Sequence, residues 1–211
     1  MEKEGNDLLK LIKTSIKYSR ISRFYDFYEY PIERFLFKKL RTEVISLAKK
    51  KTLEVGIGTG KNLPYYKSEI ELTAIDFSSG MLGIAQHKYG KIKLKKLTFM
   101  EMDVQNLSFD DNTFDTIIST FVFCTVPDPI SGLKELRRVL KPSGKVIFLE
   151  HMKSNSKFIN IHLFLMNIFS QRILGTSMLR KTQENIKSAG FTIESVDNKA
   201  LDIVRIIIAR K

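Results

Sequence analysis

The chain has 211 residues, enough for one domain with a substantial core, and no linker or repeat interrupts it. Its one cysteine, Cys124, excludes an internal disulfide and fits a reducing compartment; no Cys/His spacing of the zinc type occurs, so no metal site is expected. A net charge of +12 raises the question of nucleic acid, but no appended RNA-binding module accompanies it, and such charge more often reflects a solvated surface or attraction to anionic lipid.

The chain begins Glu2-Lys3-Glu4 without a compact apolar stretch, so no signal peptide is expected and a cytoplasmic location follows. Over residues 6–24, Leu8, Leu9, Leu11, Ile12, Ile16 and Ile21 recur at near-helical spacing, with Lys10, Lys13, Lys17, Arg20 and Arg23 between them. Asn6 or Asp7 can cap such a helix. An apolar face against a lysine face suits a helix lying on a membrane, and equally one packed on a domain or closing over a site as a lid. An aromatic-rich stretch follows, with Phe24, Tyr25, Phe27, Tyr28 and Tyr30.

Residues 52–62 are the most informative of the chain. Leu53 to Val55 suit a buried strand, Gly56, Gly58 and Gly60 follow at every second position, and a helical pattern comes next. A strand, a glycine loop and a helix hold nucleotide-like ligands, because glycine lets the backbone turn sharply and lets a ligand approach without meeting a Cβ. The dinucleotide spacing G-x-G-x-x-G fails in both registers, since it needs glycine where Lys61 or Leu63 stands.

Ile70 to Asp76 reads as a second strand ending in an acid, and a helix begins near Ser78. Asp76 either takes the ribose hydroxyls of a ligand or caps that helix, and Ser78 and Ser79 can cap instead. Lys96 to Asp103 reads as a third strand with Asp103 at its end, and Phe109 to Ser119 as a polar turn and a fourth strand. The segment Phe121 to Pro129 follows, then a helix, a Pro142-Ser143-Gly144 turn and a fifth strand ending at Glu150, with His151 next. Phe158 to Phe169 is apolar but too short, and too interrupted by Asn160, His162 and Asn167, to span a bilayer. Two last strands are expected near 191–197 and 203–210.

Glu54-x-Gly56-x-Gly58-x-Gly60, the acids at three successive strand ends, and the run LKELRRVLKPSGKVIFLE together resemble the class I S-adenosylmethionine (SAM) methyltransferases over roughly residues 20 to 211. Tyr25-Asp26, Phe121 to Pro129 and Leu149-Glu150-His151 are most similar to the group of ubiquinone/menaquinone methyltransferases, bacterial phosphatidylethanolamine N-methyltransferases and their thiol-methylating animal relatives. The chain departs from the quinone enzymes at Glu150-His151, where those tend to have phenylalanine after the acid.

The resemblance implies an α/β fold of the Rossmann-like methyltransferase kind: three α/β/α layers around a seven-stranded, mostly parallel sheet with an antiparallel C-terminal edge hairpin. It implies an N-terminal lid or membrane-surface segment over residues 1–45 and a SAM-binding domain over 46–211. The cofactor would be SAM, leaving as S-adenosylhomocysteine. Its binding residues would be Tyr25, Glu54, Gly56, Gly58, Gly60, Asn62, Asp76, Phe77, Met81, Asp103, Val104, Thr120 and Phe121. Within that set the glycine turn packs against the cofactor, Glu54 reaches toward its amino group, Asp103 with the Val104 amide meets the adenine, and Tyr25 closes over the methionine end.

Methyl transfer from SAM needs no metal. His151, at the carboxyl edge and able to titrate near neutrality, is the candidate general base, with hydrogen bonding to a loop backbone as its other reading. The resemblance points to a small, lipophilic acceptor, a phospholipid amine or a quinone precursor; the 6–24 pattern and the basic charge leave peripheral contact with an anionic membrane as one expectation beside a packed helix or lid. A soluble thiol or amine metabolite and a non-catalytic SAM-binding role stay open as alternatives. The segment from Thr120 to Pro127 lacks the Asn/Asp-Pro-Pro-Tyr box by which base N-methylating enzymes resemble one another, which counts against nucleic acid. Oligomeric state is not legible.

Overall fold

A computed structural model describes residues 37–154, 181–200 and 203–211. Seven strands form one sheet: β1 (Lys51–Val55), β2 (Glu71–Asp76), β3 (Lys96–Glu101), β4 (Phe114–Thr120), β5 (Leu140–His151), β6 (Thr192–Lys199) and β7 (Val204–Arg210). Their order is β3-β2-β1-β4-β5-β7-β6. The first five run parallel, while β7 pairs antiparallel with both β5 and β6. This is the expected doubly covered sheet with its C-terminal hairpin.

Strands buried on both faces need apolar side chains on both, and the sequence supplies them. Leu53, Val55, Ile117, Val146, Phe148 and Ile207 point into one core, under α3 (Pro129–Val139) and α4 (Thr182–Ser188). Leu72, Ala74, Ile118, Ile147, Leu149 and Ile206 point into the other, under α1 (Lys38–Ile45) and α2 (Ser79–Tyr89). Each such leucine, isoleucine or phenylalanine contributes about 1.5–3 kcal/mol by leaving water.

The helices start and stop on local signals. Asp128 caps α3, accepting from Ile130 N and Ser131 N, with Pro129 in the first turn where no backbone donor is needed. Ser78 caps α2 through Met81 N. In α1, Leu40, Arg41, Val44 and Ile45 form the buried face, so Lys38–Ile45 packs on the sheet next to β4 and β5. Among the described residues no helix is long and apolar enough to cross a membrane.

Two expectations shift. β3 ends at Glu101, so Asp103 lies in the loop beyond the strand rather than at its tip. The Pro142-Ser143-Gly144 turn is not a separate connection but an interruption within β5. The register runs Phe114 with Leu140, then Thr116 with Lys145, so three extra residues bulge from β5 there. Pro142 lacks an N–H for the ladder, and a bulge is where a strand tolerates that. The N-terminal segment 6–24, Tyr25, and the apolar stretch 158–169 with His162 lie outside the described residues.

The chain runs outward from β1 to β3 and then crosses back to β4, so the strand order reverses between β1 and β4. Ligands of open α/β sheets bind in the crevice beyond the carboxyl ends of the strands at such a switch point.

Candidate functional site

The glycine turn leaves β1 at that switch point. Gly56, Gly58 and Gly60 all have positive φ, at 64°, 56° and 85°. A Cβ on Gly56 would lie 2.5 Å from Val122 Cγ2, and one on Gly60 would meet Tyr89 and Leu63. A Cβ on Gly58 would meet nothing within 4 Å. Two of the glycines therefore serve close packing, and the middle one presents bare backbone to open space.

Asp76, at the end of β2, holds this turn. Its Oδ2 accepts from Gly58 N at 2.8 Å and its Oδ1 from Ser78 N at 2.9 Å. Burial pushes its pKa up to about 6 against the opposing pull of those amides and that of Phe77. Ser78, not Asp76, caps α2, while the Asp76 carboxylate ties the glycine turn to the start of that helix. Phe77 and Met81 flank this corner, half-buried and buried respectively.

Glu54 lies beneath the turn with no exposed surface. Oε1 accepts from Asn62 Nδ2 at 2.6 Å and Oε2 from Tyr66 OH at 2.9 Å. Asn62 Nδ2 also donates to Thr120 Oγ1, and Arg41 Nη1 donates to both Asn62 Oδ1 and Thr120 Oγ1. Desolvation raises Glu54 to about 7; the two hydrogen bonds and the nearby Arg41 charge act against it. Burial, then the Glu54 charge, pushes Tyr66 well above its ordinary value. Sequence reading marked Glu54, Asn62 and Thr120 as separate contacts, and the structure brings them into one network. It missed Arg41 and Tyr66. A single arginine among the buried positions Leu40, Val44 and Ile45 was the available signal.

Asp103 is half-buried, and both its oxygens accept from the Gln105 side-chain amide. Gln105 Oε1 in turn accepts from Asp128 N, tying this loop to the cap of α3. Val104 is buried, against the Gly132 position on that helix.

Beyond β4 the chain turns through Phe121, a non-glycine residue at φ 60°. Its ring lies 4.4 Å from the His151 ring and 4.8 Å from Phe37, with the Arg41 guanidinium 5.3 Å from its centroid. His151 Nδ1 is buried and has no hydrogen-bond partner. The expectation that His151 titrates near neutrality is corrected: burial against these rings drives its pKa down to about 4, so it is neutral at pH 7. Nor does Nδ1 bond a loop backbone. Cys124 is buried, and its thiol donates to Phe121 O, as suits a small core residue. Among the described residues no cluster of His, Cys, Asp and Glu could hold a metal ion.

Comparison with known proteins agrees with this geometry. Residues 53–148 match the family described as "Methyltransferase domain". A phosphatidylethanolamine N-methyltransferase of Cereibacter sphaeroides is 38% identical over 102 residues, 48% of this chain and 50% of that protein. A demethylmenaquinone methyltransferase of Staphylococcus epidermidis is 33% identical over 140 residues, 64% of this chain and 56% of that one. The chain thus spans about half the length of the curated relatives it matches. A SAM-dependent methyltransferase structure from Thermotoga maritima superposes with a TM-score of 0.72 at 19% identity, covering 92% of this chain and 98% of the other. One from Aquifex aeolicus gives 0.63 at 22%, covering 91% and 97%. At these identities the structures speak for the fold.

Proposed function

We propose that this chain, whose residues 53–148 match the methyltransferase-domain family, transfers a methyl group from SAM to a small lipophilic acceptor, a phospholipid amine or a quinone precursor. The observation that carries the donor site is the bare Gly58 backbone, open above and held by Asp76 below, at the switch point of the sheet. Glycine turn, Glu54 network and Asp76 would hold the donor's amino acid and ribose, and Asp103 with Val104 its adenine. Tyr25, Asn62, Phe77, Met81, Thr120 and Phe121 complete the proposed set. The donor supplies an already activated methyl group on a sulfonium.

The protein's task is then to bring a lone pair in line with that methyl and keep water out, so orientation carries most of the acceleration. His151 stands beside Phe121 with a buried, unpartnered nitrogen, and it is neutral at pH 7. Neutral and weakly basic, it would accept a hydrogen bond from an acceptor that reached the enclosed nitrogen by displacing the Phe37 or Phe121 ring, and would then steer the acceptor's lone pair. The similarity to a phosphatidylethanolamine and a demethylmenaquinone methyltransferase supports the lipophilic class. Peripheral contact of the 6–24 segment, whose sequence alternates apolar and basic residues, with an anionic membrane would bring the site to such an acceptor.

Calorimetry with SAM tests the donor site, and absence of binding overturns it. Methyl-labelled SAM incubated with phosphatidylethanolamine vesicles, a quinone precursor, and soluble amines and thiols tests the acceptor. Label in the organic phase supports the proposal; label only in the aqueous products replaces it with a metabolite methyltransferase. Flotation of the protein with and without residues 1–20 tests the membrane contact, which equal flotation removes.

A further inference from the structure

We infer that Glu150 is a positioning residue of the methyl-donor site: it holds the turn that leaves β4 so that Val122 backs the glycine turn. This rests on the donor-site reading above and adds a residue for which sequence reading gave no role.

Glu150 sits at the end of β5 with no exposed surface. One oxygen, Oε1, accepts from Ser119 Oγ at 3.0 Å, Val122 N at 3.1 Å and Phe123 N at 3.3 Å. Two successive amides aimed at one carboxylate oxygen fix the local backbone, and bonds to a charged acceptor are the strong ones. The neighbouring Phe121 N donates to Leu149 O at 2.8 Å, so strand end and side chain grip the turn together.

The grip has consequences on both faces of the sheet. Phe121 is held at positive φ, which places its ring against His151 and Phe37. Val122 is set so close to Gly56 that no Cβ fits there. Phe123 is driven into the core against Phe148. Glu150 Oε2 is buried and, among the described residues, makes no hydrogen bond, so Oε1 alone holds the turn. Its acceptor capacity is concentrated on the turn whose Val122 meets Gly56.

Among the described residues no charged group shifts Glu150. Arg205, its register partner on β7, directs its guanidinium to Gln183 Oε1 and Lys153 O. β4 contributes the neutral Ser119, and the turn contributes amides. On this face α3 and α4 bring apolar side chains, Leu133, Leu136, Val139 and Ile186. Glu54 and His151 belong to the opposite face. The carboxyl is raised to about 7 by its burial, so its protonation is readable at neutral pH.

The test uses the full chain, Glu150→Gln, SAM calorimetry and amide NMR. Glu150→Gln removes the charge behind the grip, and SAM affinity is expected to fall about fivefold, with only a small change in melting temperature. In the wild type the Val122 and Phe123 amide shifts should titrate together with a midpoint near 7, and in Glu150→Gln they should not. Unchanged SAM affinity in folded Glu150→Gln, or amides that ignore pH, overturns the inference.

Val122→Ala provides a second route. If Glu150 acts through Val122, the double variant binds SAM no worse than the weaker-binding single variant, whereas fully additive losses sink the idea. Should the wild type itself not bind SAM, the donor-site reading fails, while the amide titration still reports whether Glu150 holds the turn.

Discussion

Glu54 at the end of β1 and Glu150 at the end of β5 are both fully buried, on opposite faces of one sheet, and burial raises both to about 7. Their partners differ. Around Glu54 each oxygen has its own side-chain donor, and Arg41 closes the network through Asn62 and Thr120. Around Glu150 three donors crowd one oxygen and the other has none. A fully connected buried network makes a floor that does not move, while a half-connected acid keeps a stake in its own protonation. The donor site would thus rest on a rigid floor under the glycine turn and a tunable wall behind it.

Breaking the floor should cost most. Glu54→Ala takes the acceptor from Tyr66 OH, leaves Asn62 Nδ2 with Thr120 alone and removes the charge opposite Arg41, so a loss of about 3 kcal/mol is expected from urea unfolding followed by circular dichroism. A loss under 1 kcal/mol would mean that the network is ornamental.

Titration tests both glutamates together. Their folded pKa values stand above the unfolded value of 4.5, so the native state holds protons that the unfolded chain has released. That contribution is complete below about 4.5 and is lost as pH rises through about 7, at about 1.4 kcal/mol per carboxylate between pH 6 and 8. His151, lowered from 6.5 to about 4, works in the opposite sense: stability rises between about pH 4 and 7, and about 0.8 kcal/mol of that rise falls above pH 6. With Asp76, raised to about 6, adding a few tenths to the fall, stability should drop by about 2 kcal/mol from pH 6 to 8, and Glu150→Gln should remove more than half of that drop. A flat profile would contradict the burial of both acids.

Gly56→Ala joins the two regions, because its new methyl meets Val122 while the backbone keeps φ 64°. About 2 kcal/mol of stability should be lost, with SAM binding lost beyond detection by calorimetry. Gly58→Ala shares the strained φ but meets open space, so its stability loss should be the smaller of the two. Asp76→Ala should weaken SAM binding about tenfold, near 1.4 kcal/mol, by freeing the Gly58 amide. The smallest signal is in the His151 imidazole, whose ring proton shifts should stay those of the neutral form down to about pH 5. A midpoint near 6.5 would place the ring in water instead.

The parts of the site visible in the sequence are those that a periodic pattern or a glycine marks. The order β1 to β5, the acids at Glu54 and Asp76, and the three glycines follow from strands alternating with helices and from a turn at positive φ. What stayed hidden is partnership across distance. Tyr66 and Arg41 reach Glu54's network from twelve residues downstream and from a separate helix, and no local signal encodes that meeting. The same holds for the His151 pKa, which depends on Phe37 and Phe121 closing around the ring. The Pro-Ser-Gly run reads as a turn on composition, and only the β4 register reveals it as a bulge.

That bulge acts as a length gauge for the far end of β5. Gly144 is its closing residue, where a Cβ would meet Leu140 Cδ1 at 2.7 Å and Asp115 O at 3.0 Å. From there six residues run to Glu150, about 20 Å of extended chain. Side chains alternate along that run, so the number of residues absorbed in the bulge decides that Glu150 faces the turn after β4 and His151 faces Phe121. Deleting Ser143 alone would ask the strand either to swallow the slack locally or to exchange the two side chains across the sheet, emptying both ends of the crevice at once.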